Sequence, residues 1–257
     1  RDSLRAWGEE HFPNSDPDAD DAYALPVVAE TWDGLLNDIK GFHVKKEDVY
    51  KALDSAKGGE VAEGAVGGGT GMVCFQFKCG TGTASRKVRA GKNDYKVGVL
   101  VQANFGRRPE LAVAGVKLGS TFPDLMPVFP REKKDGSLIT VVATDAPLLP
   151  SQLRRLAKRV TLGMANTGGI SRNSSGDLFL AFSTVEPKAG KAGNEAWEAV
   201  PNGSMDELFR ATIQATEEAI VNALVAGETM TGVDGNKVFA IPHDRLKEAL
   251  RAGAPAK

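Results

Sequence analysis

The run Lys96-Val-Gly-Val-Leu-Val-Gln-Ala-Asn104 is apolar at nearly every position. Successive side chains of a strand face opposite ways, so such a run expects burial on both faces and a layered protein around it. Other stretches supply the layers. Met72–Lys78 has a β pattern with Phe75 and Phe77, Ser137 opens a strand over Leu138–Ala143, and further strands are expected at Leu178–Ser183 and Val238–Ile241. Leu25–Glu30 leans β and runs into a turn, Thr31-Trp32-Asp33-Gly34. Helical spacing appears over 45–56 (Val49, Leu53, Ala56), 205–226 and 243–251. Over 150–166, Leu153, Leu156, Ala157 and Val160 oppose Arg154, Arg155, Lys158 and Arg159, a basic amphipathic helix whose charged stripe is expected to face solvent. Helices and strands in mixed order predict an α/β or α+β domain, with no internal repeat.

Composition narrows the function classes. The 257 residues suffice for one large domain or two small ones. Lys and Arg number 32 against 33 Asp and Glu, a net charge of -1, so neither nucleic acid nor an anionic membrane is expected as a partner. No apolar run approaches the roughly 20 residues that span a bilayer. Two cysteines and three histidines exclude a disulfide scaffold and a four-cysteine zinc site. Arg1-Asp-Ser-Leu-Arg-Ala-Trp-Gly8 reads like the end of a helix already under way, with Leu4 and Trp7 on one face. The sequence is therefore expected to lack its true N-terminus. No leader fixes the compartment, and a soluble cytoplasmic or periplasmic protein is expected.

Glycine is in excess, 29 residues against a usual share of about 7%, which points to tight turns and close backbone approach. Gly64-Ala-Val-Gly-Gly-Gly-Thr-Gly71 lacks a Gly-Lys-Ser/Thr and leads into a strand, so it reads as a tightly packed turn and not as a phosphate loop. Cys74 and Cys79 lie five apart around an expected strand and so point to opposite faces, arguing against a shared metal or a local disulfide. His11, His43 and His243 are scattered singles, and no His-Glu-x-x-His or Gly-x-Ser-x-Gly is present.

Asp135-Gly136-Ser137 before an apolar strand has two readings. One is an ordinary turn. In the other, the Ser137 hydroxyl attacks the preceding carbonyl, the Gly136–Ser137 bond is cut, and Ser137 becomes a new N-terminus. A free α-amine has a pKa near 7.7–8.0, low enough to serve as general base for its own hydroxyl. Glycine before the serine suits this because it has no side chain to obstruct attack.

Several segments weigh on that choice. Leu25-Pro-Val-Val-Ala-Glu-Thr-Trp-Asp-Gly34, Asn37-Asp-Ile-Lys-Gly-Phe-His-Val44, Glu63–Met72 and Val99-Leu-Val-Gln-Ala-Asn-Phe-Gly106 form one group. Gly136-Ser137 with Ala143–Pro150, Ser174-Ser-Gly-Asp-Leu-Phe-Leu-Ala-Phe-Ser-Thr184, Ala215–Ala219, Glu228–Gly232 and Pro242–Arg245 form another. In this order, over essentially the whole chain, they resemble the DmpA-type aminopeptidases: L-aminopeptidase/D-esterases, D-aminopeptidases and β-peptidyl aminopeptidases. The resemblance implies an α+β fold, an αββα sandwich like that of Ntn hydrolases with different connectivity, shared with ornithine-acetyltransferase-like enzymes. It implies a self-processing serine aminopeptidase or amidase acting on short peptides, aminoacyl amides or esters through an acyl-enzyme, without metal or cofactor. Residues 1–136 would be the C-terminal part of the α chain and 137–257 the β chain, together one domain, with αβ units assembled as a homo-oligomer, a tetramer or larger.

By position, Ser137 would be the nucleophile, Gly136-Ser137 the cleavage site and Asn104 the oxyanion donor. Ser175 would bond the Ser137 amine or hydroxyl and Asp177 would orient that network. Glu30 would hold the substrate ammonium, its other reading being a solvated strand-end carboxylate, and Trp32 would line the substrate site. Two departures stand out. Trp32 occupies a turn position where many members have Tyr, and an indole N–H donates but cannot accept a proton. Family precursors also carry further residues, including sheet strands, before the point matching Arg1. The alternative is a truncated or non-catalytic member with a binding or assembly role. An acyltransferase fits less well, since its nucleophile is normally Thr in an Ala-Thr-Met-Leu-type context.

Overall fold

The computed structural model describes residues 1–12, 26–129, 136–186, 188–189 and 195–253. Leu25 and Asp135, both named above, lie outside the described residues. The chain forms two compact units. The first, Arg1–Glu30 with Asp38–Val61, holds helices α1 (Asp2–His11) and α2 (Lys46–Asp54). They are joined by Trp7 Nε1 donating to Asp54 Oδ1 at 2.7 Å and by the Tyr50 hydroxyl donating to Glu10 at 2.9 Å. Leu25–Glu30, expected as a strand, has no regular structure over its described part, and Val27 and Val28 are exposed. Apolar β-branched side chains alone do not make a strand without a partner to pair with.

The second unit, Thr31–Asn37 with Ala62–Lys257, opens on a small hairpin, β1 (Val73–Cys74) and β2 (Phe77–Lys78). The main sheet begins with β3 (Thr81–Ala90) and β4 (Asn93–Asn104), joined by a two-residue turn at Gly91, whose φ of +65° suits glycine. A second small hairpin, β5 (Ala112–Val113) and β6 (Val116–Lys117), precedes β7 (Ser137–Thr144). Then come α3 (Pro150–Ala157), α4 (Val160–Asn166), β8 (Leu178–Ser183), and the short pair β9 (Lys188–Ala189) and β10 (Glu195–Ala196). The chain closes with α5 (Asp206–Val225), the pair β11 (Met230–Thr231) and β12 (Lys237–Val238), and α6 (His243–Gly253).

The main sheet has the order β3-β4-β7-β8, antiparallel except for the parallel pair β7–β8. α5 covers one face. Its buried alanines 211, 215, 219 and 223 recur every four residues, a smooth stripe that lets the helix press on the sheet. Gly82 on β3 answers that stripe: a Cβ there would meet the Ala219 carbonyl at 2.0 Å. Val97, Val99, Val101, Leu138 and Val142 fill the core beneath. On the opposite face, Leu100, Leu178, Leu180 and Phe182 are exposed, so the described residues cover only one face of β4. Of the four expected layers, one sheet and its helical layer lie within them.

Three further expectations are corrected. The 150–166 helix is two helices, broken at Lys158–Arg159, and its basic stripe is not wholly solvated: Arg159 stacks 3.9 Å and Arg155 4.9 Å from the Phe209 ring. Val238–Ile241 contributes only Val238 to a strand. Met72–Lys78 is not one strand. Phe75 and Gln76 take left-handed φ of 50° and 60°, folding the segment into the β1–β2 hairpin. That turn brings Cys74 and Cys79 to one side, Cα to Cα 5.4 Å, and they form a disulfide. The opposite-face argument fails because it assumed unbroken extension.

Candidate active site

The site is assembled where β4 ends and β7 begins. Asn104, the last residue of β4, is fully buried and lies directly opposite Ser137, the first residue of β7. The approach is so close that a Cβ on Gly136 would lie 1.6 Å from the Asn104 carbonyl oxygen and 2.6 Å from its carbon. Glycine at 136 is therefore a steric requirement.

The loop before β8 supplies the partners. Ser137 Oγ accepts the Gly176 N–H at 3.0 Å. Ser175 Oγ lies 2.9 Å from the Gly136 carbonyl oxygen and 2.7 Å from Asp177 Oδ1. The hydroxyl has one proton, so it serves either the Gly136 carbonyl or the carboxylate. Asp177 Oδ1 also accepts the Leu138 N–H at 2.8 Å, while Asp177 Oδ2 is buried without a hydrogen-bond partner. A buried, unpaired carboxylate oxygen is expensive and marks a place for a donor or a cation.

Asn104 is held from both ends of its amide. Its Oδ1 accepts the Val73 N–H at 3.1 Å, and its Nδ2 donates to the Trp32 carbonyl at 2.8 Å. A backbone N–H can only donate, so Val73 fixes which end of the amide is oxygen. Trp32 contributes through its backbone, which any residue would supply, while its ring is half exposed. Thr31, next to it, is buried and bonded to Gln102 Nε2 at 2.6 Å.

The structure thus joins Ser137, Gly136, Asn104, Ser175 and Asp177, and brings in Trp32 by its carbonyl. Glu30 belongs to the first unit and is exposed. Reading the sequence missed the backbone donors of Val73, Leu138 and Gly176, for which no residue type is a signal. A cavity of about 80 Å³ adjoins Gly136 and Ser175, with Phe105, Met164 and Ile170 on its apolar side. Arg172 and Glu110, paired with each other, line it as well.

Two buried cations lie beside the site. Arg108 is 2% exposed and pairs with no carboxylate among the described residues: it donates to the carbonyls of Phe75, Gln76, Phe122 and Leu125 at 2.6–2.9 Å. Burial lowers its pKa to about 10, against a small opposing pull from Asp124, so it stays charged at neutral pH. Lys78 is fully buried, with Nζ on the carbonyls of Cys79 (2.5 Å) and Gly69 (3.3 Å), and burial lowers its pKa to about 8.

Residues 1–238 match peptidase family S58. The chain belongs to that family. The β-peptidyl aminopeptidase BapA of Sphingosinicella microcystinivorans is 49% identical over 244 residues, covering 90% of this chain and 62% of that protein. BapA of Sphingosinicella xenopeptidilytica is 48% identical, covering 91% and 61%. The chain therefore spans about three fifths of the length of these relatives. Among solved structures, a Burkholderia β-aminopeptidase superposes with a TM-score of 0.86 at 43% identity, covering 100% of this chain and 71% of that one. The L-aminopeptidase D-Ala-esterase/amidase of Ochrobactrum anthropi, described as a new variant among the Ntn hydrolase fold, gives 0.82 at 45% identity, covering 91% and 65%. The fold of this S58 chain is of that Ntn-hydrolase-like kind.

Proposed function

We propose that this protein is a self-processing serine aminopeptidase whose nucleophile is Ser137. The observation that carries the reading is Gly136, its α-carbon pressed against the Asn104 main chain and its carbonyl within reach of the Ser175 hydroxyl, directly before a serine whose Oγ is held by Gly176 N–H. In self-cleavage, Ser137 Oγ adds to the Gly136 carbonyl carbon, its hydroxyl proton passes to the Ser137 nitrogen, and the bond between that nitrogen and the carbonyl carbon breaks. The ester that forms is then hydrolysed by water. This leaves a piece ending at Gly136 and a piece, 137–257, that begins with the nucleophile.

In turnover, Ser137 Oγ attacks the acyl carbon of the substrate's N-terminal residue and the Ser137 α-amine takes the hydroxyl proton. That proton passes to the leaving amine, and water releases the acyl group. The Asn104 amide stabilises the developing oxyanion, an effect worth about 3 kcal/mol in other hydrolases. Asp177 Oδ2, otherwise unpaired, is the acceptor for the new ammonium beside Leu138, whose own N–H already rests on the same carboxylate.

The substrate's acyl residue takes the place of Gly136. An L-oriented Cβ there meets the Asn104 carbonyl at 1.6 Å, so an acyl residue with an unsubstituted α-carbon fits, as in glycine or a β-residue bearing its substituent one carbon further out. Relatives named as β-peptidyl aminopeptidases agree with that preference. Glu30 and Trp32 are assigned to the substrate ammonium and its surroundings by family position.

Intact mass of the full-length protein beside Ser137→Ala tests the reading. Two fragments divided between Gly136 and Ser137, absent in the variant, are expected. A β-alanyl amide should then be hydrolysed faster than an L-alanyl amide. An uncut, inactive chain would instead favour a non-catalytic member.

A further inference from the structure

The Asn104 amide is oriented by a backbone donor, Val73 N–H, on a hairpin of only two residues per strand. Such a hairpin is not rigid by itself. Its turn residues Phe75 and Gln76 are neither Gly nor Asn, yet both hold left-handed φ, a conformation that costs free energy and persists only where the surroundings enforce it. Arg108 is what grips that turn. Its Nε donates to Phe75 O at 2.9 Å and its Nη2 to Gln76 O at 2.6 Å. Its own backbone N–H donates to Gln76 Oε1 at 3.0 Å, and its guanidinium lies 3.3 Å from the centre of the Phe77 ring. Phe75 N–H donates to Phe105 O at 2.8 Å, tying the turn to the residue after Asn104. The Cys74–Cys79 disulfide closes the other end of the same hairpin.

We propose that Arg108 is a positioning residue for Asn104: by clamping the Phe75–Gln76 turn it keeps the Val73 N–H on Asn104 Oδ1 and so fixes the orientation of the amide whose Nδ2 end serves the oxyanion. The disulfide is the second half of the same clamp. This assignment rests on the reading of Asn104 as the oxyanion donor. Arg108 touches neither Ser137 nor Gly136; it acts through the hairpin and the amide. A guanidinium is suited to the task because its planar fork reaches four carbonyls at fixed angles, which the single ammonium of lysine cannot match.

The test has two parts, both on the full-length protein. First, the self-cleavage rate is followed by intact mass for wild type, Arg108→Lys, Asn104→Ala and the double variant. Arg108→Lys should slow cleavage about 10-fold in the wild-type background and less than 2-fold once Asn104 is gone, because the two act as one unit. Equal slowing in both backgrounds overturns the proposal while leaving the nucleophile reading intact; a wild type that never cleaves overturns both. Second, in the uncut Ser137→Ala protein, the side-chain amide pair of Asn104 is identified by NMR through its loss in Asn104→Ala. Arg108→Lys and, separately, Cys74→Ala with Cys79→Ala should shift and broaden that pair. The cysteine variant keeps the guanidinium, so it reads the clamp even if Arg108→Lys folds poorly. An Asn104 pair unmoved in the folded variants also overturns the proposal.

Discussion

Replacing Gly136 by alanine adds one methyl group at the most crowded backbone approach in the site. The new Cβ would begin 1.6 Å from the Asn104 carbonyl oxygen, 2.6 Å from its carbon and 3.1 Å from Phe105 Cα. Real Cβ contacts essentially never fall below 3.0 Å, so the two backbones must part by about 1.4 Å. The obstacle is main chain at the end of a paired strand, with no flexible side-chain tip to swing away. Overpacking of this kind costs about 1–3 kcal/mol. The kinetic cost is larger in kind, because the displaced atoms are the attacked carbonyl and the strand carrying Asn104. A misplacement of about 1 Å at a reacting centre slows chemistry about 100-fold. Gly136→Ala should therefore remain folded, lose a few degrees in Tm, and self-cleave about 100-fold more slowly. Timed intact-mass spectra from freshly made precursor measure the rate, and thermal unfolding separates it from stability. Cleavage within about threefold of wild type would refute the steric argument and, with it, the reason given for preferring an unsubstituted α-carbon in substrates.

Other expectations follow from the same geometry. Asp177→Ala leaves Leu138 N–H without its acceptor and the Ser175 hydroxyl with only the Gly136 carbonyl, and self-cleavage by intact mass should slow by about 100-fold or more, with Ser175→Ala slowing it less. Replacing both cysteines by alanine removes a short covalent loop worth about 2 kcal/mol, a fall of about 4–8 °C in Tm by calorimetry. Lys78, with a pKa of about 8 folded against the ordinary 10.5, binds its proton more weakly in the native state. Its burial thus penalises folding fully below pH 8, and the penalty fades as pH rises from 8 to 10.5. Relative to Lys78→Met, wild type should gain about 3 kcal/mol across that window in denaturant titrations; a pH-independent difference would contradict the assigned burial of the charge.

The strands and helices that carry strong periodicity were legible in the sequence. β4, β7, β8, α2, α5 and α6 fall within a few residues of the expected bounds, because each has an apolar face long enough to set its period. β3 was not foreseen. Thr81–Ala90 carries Arg86, Lys87 and Arg89 and meets α5 with small residues such as Gly82, so its pairing is decided by β4 and not by its own hydrophobicity. The β1–β2 hairpin was hidden for another reason: its turn lacks the Asn-Gly or Gly-x signature, and the left-handed φ of Phe75 and Gln76 is imposed by what grips them. That one omission also concealed the disulfide. At the candidate site, Asn104, Ser175 and Asp177 were named beside Ser137 through the family resemblance, by position, and the structure draws these four side chains to the meeting of β4, β7 and the loop before β8. The N–H groups of Val73, Leu138 and Gly176 and the Trp32 carbonyl were not legible, because main-chain donors and acceptors are the same at every position until a fold aims them.

β7 lies between β4 and β8, paired with β4 from Ser137 and with β8 from Ile139. Chain ends usually fray, and a catalytic group placed on one would spend much of its time out of position. A cut made just before Ser137 would create an end already paired with β4, with β8 gripping the strand from two residues further in. β4 would then belong to one fragment and β8 to the other, with α5 of the second fragment lying across β3 and β4 of the first. The severed chains would be laced together like a zip closed from both rows, so breaking one covalent bond need not release either partner.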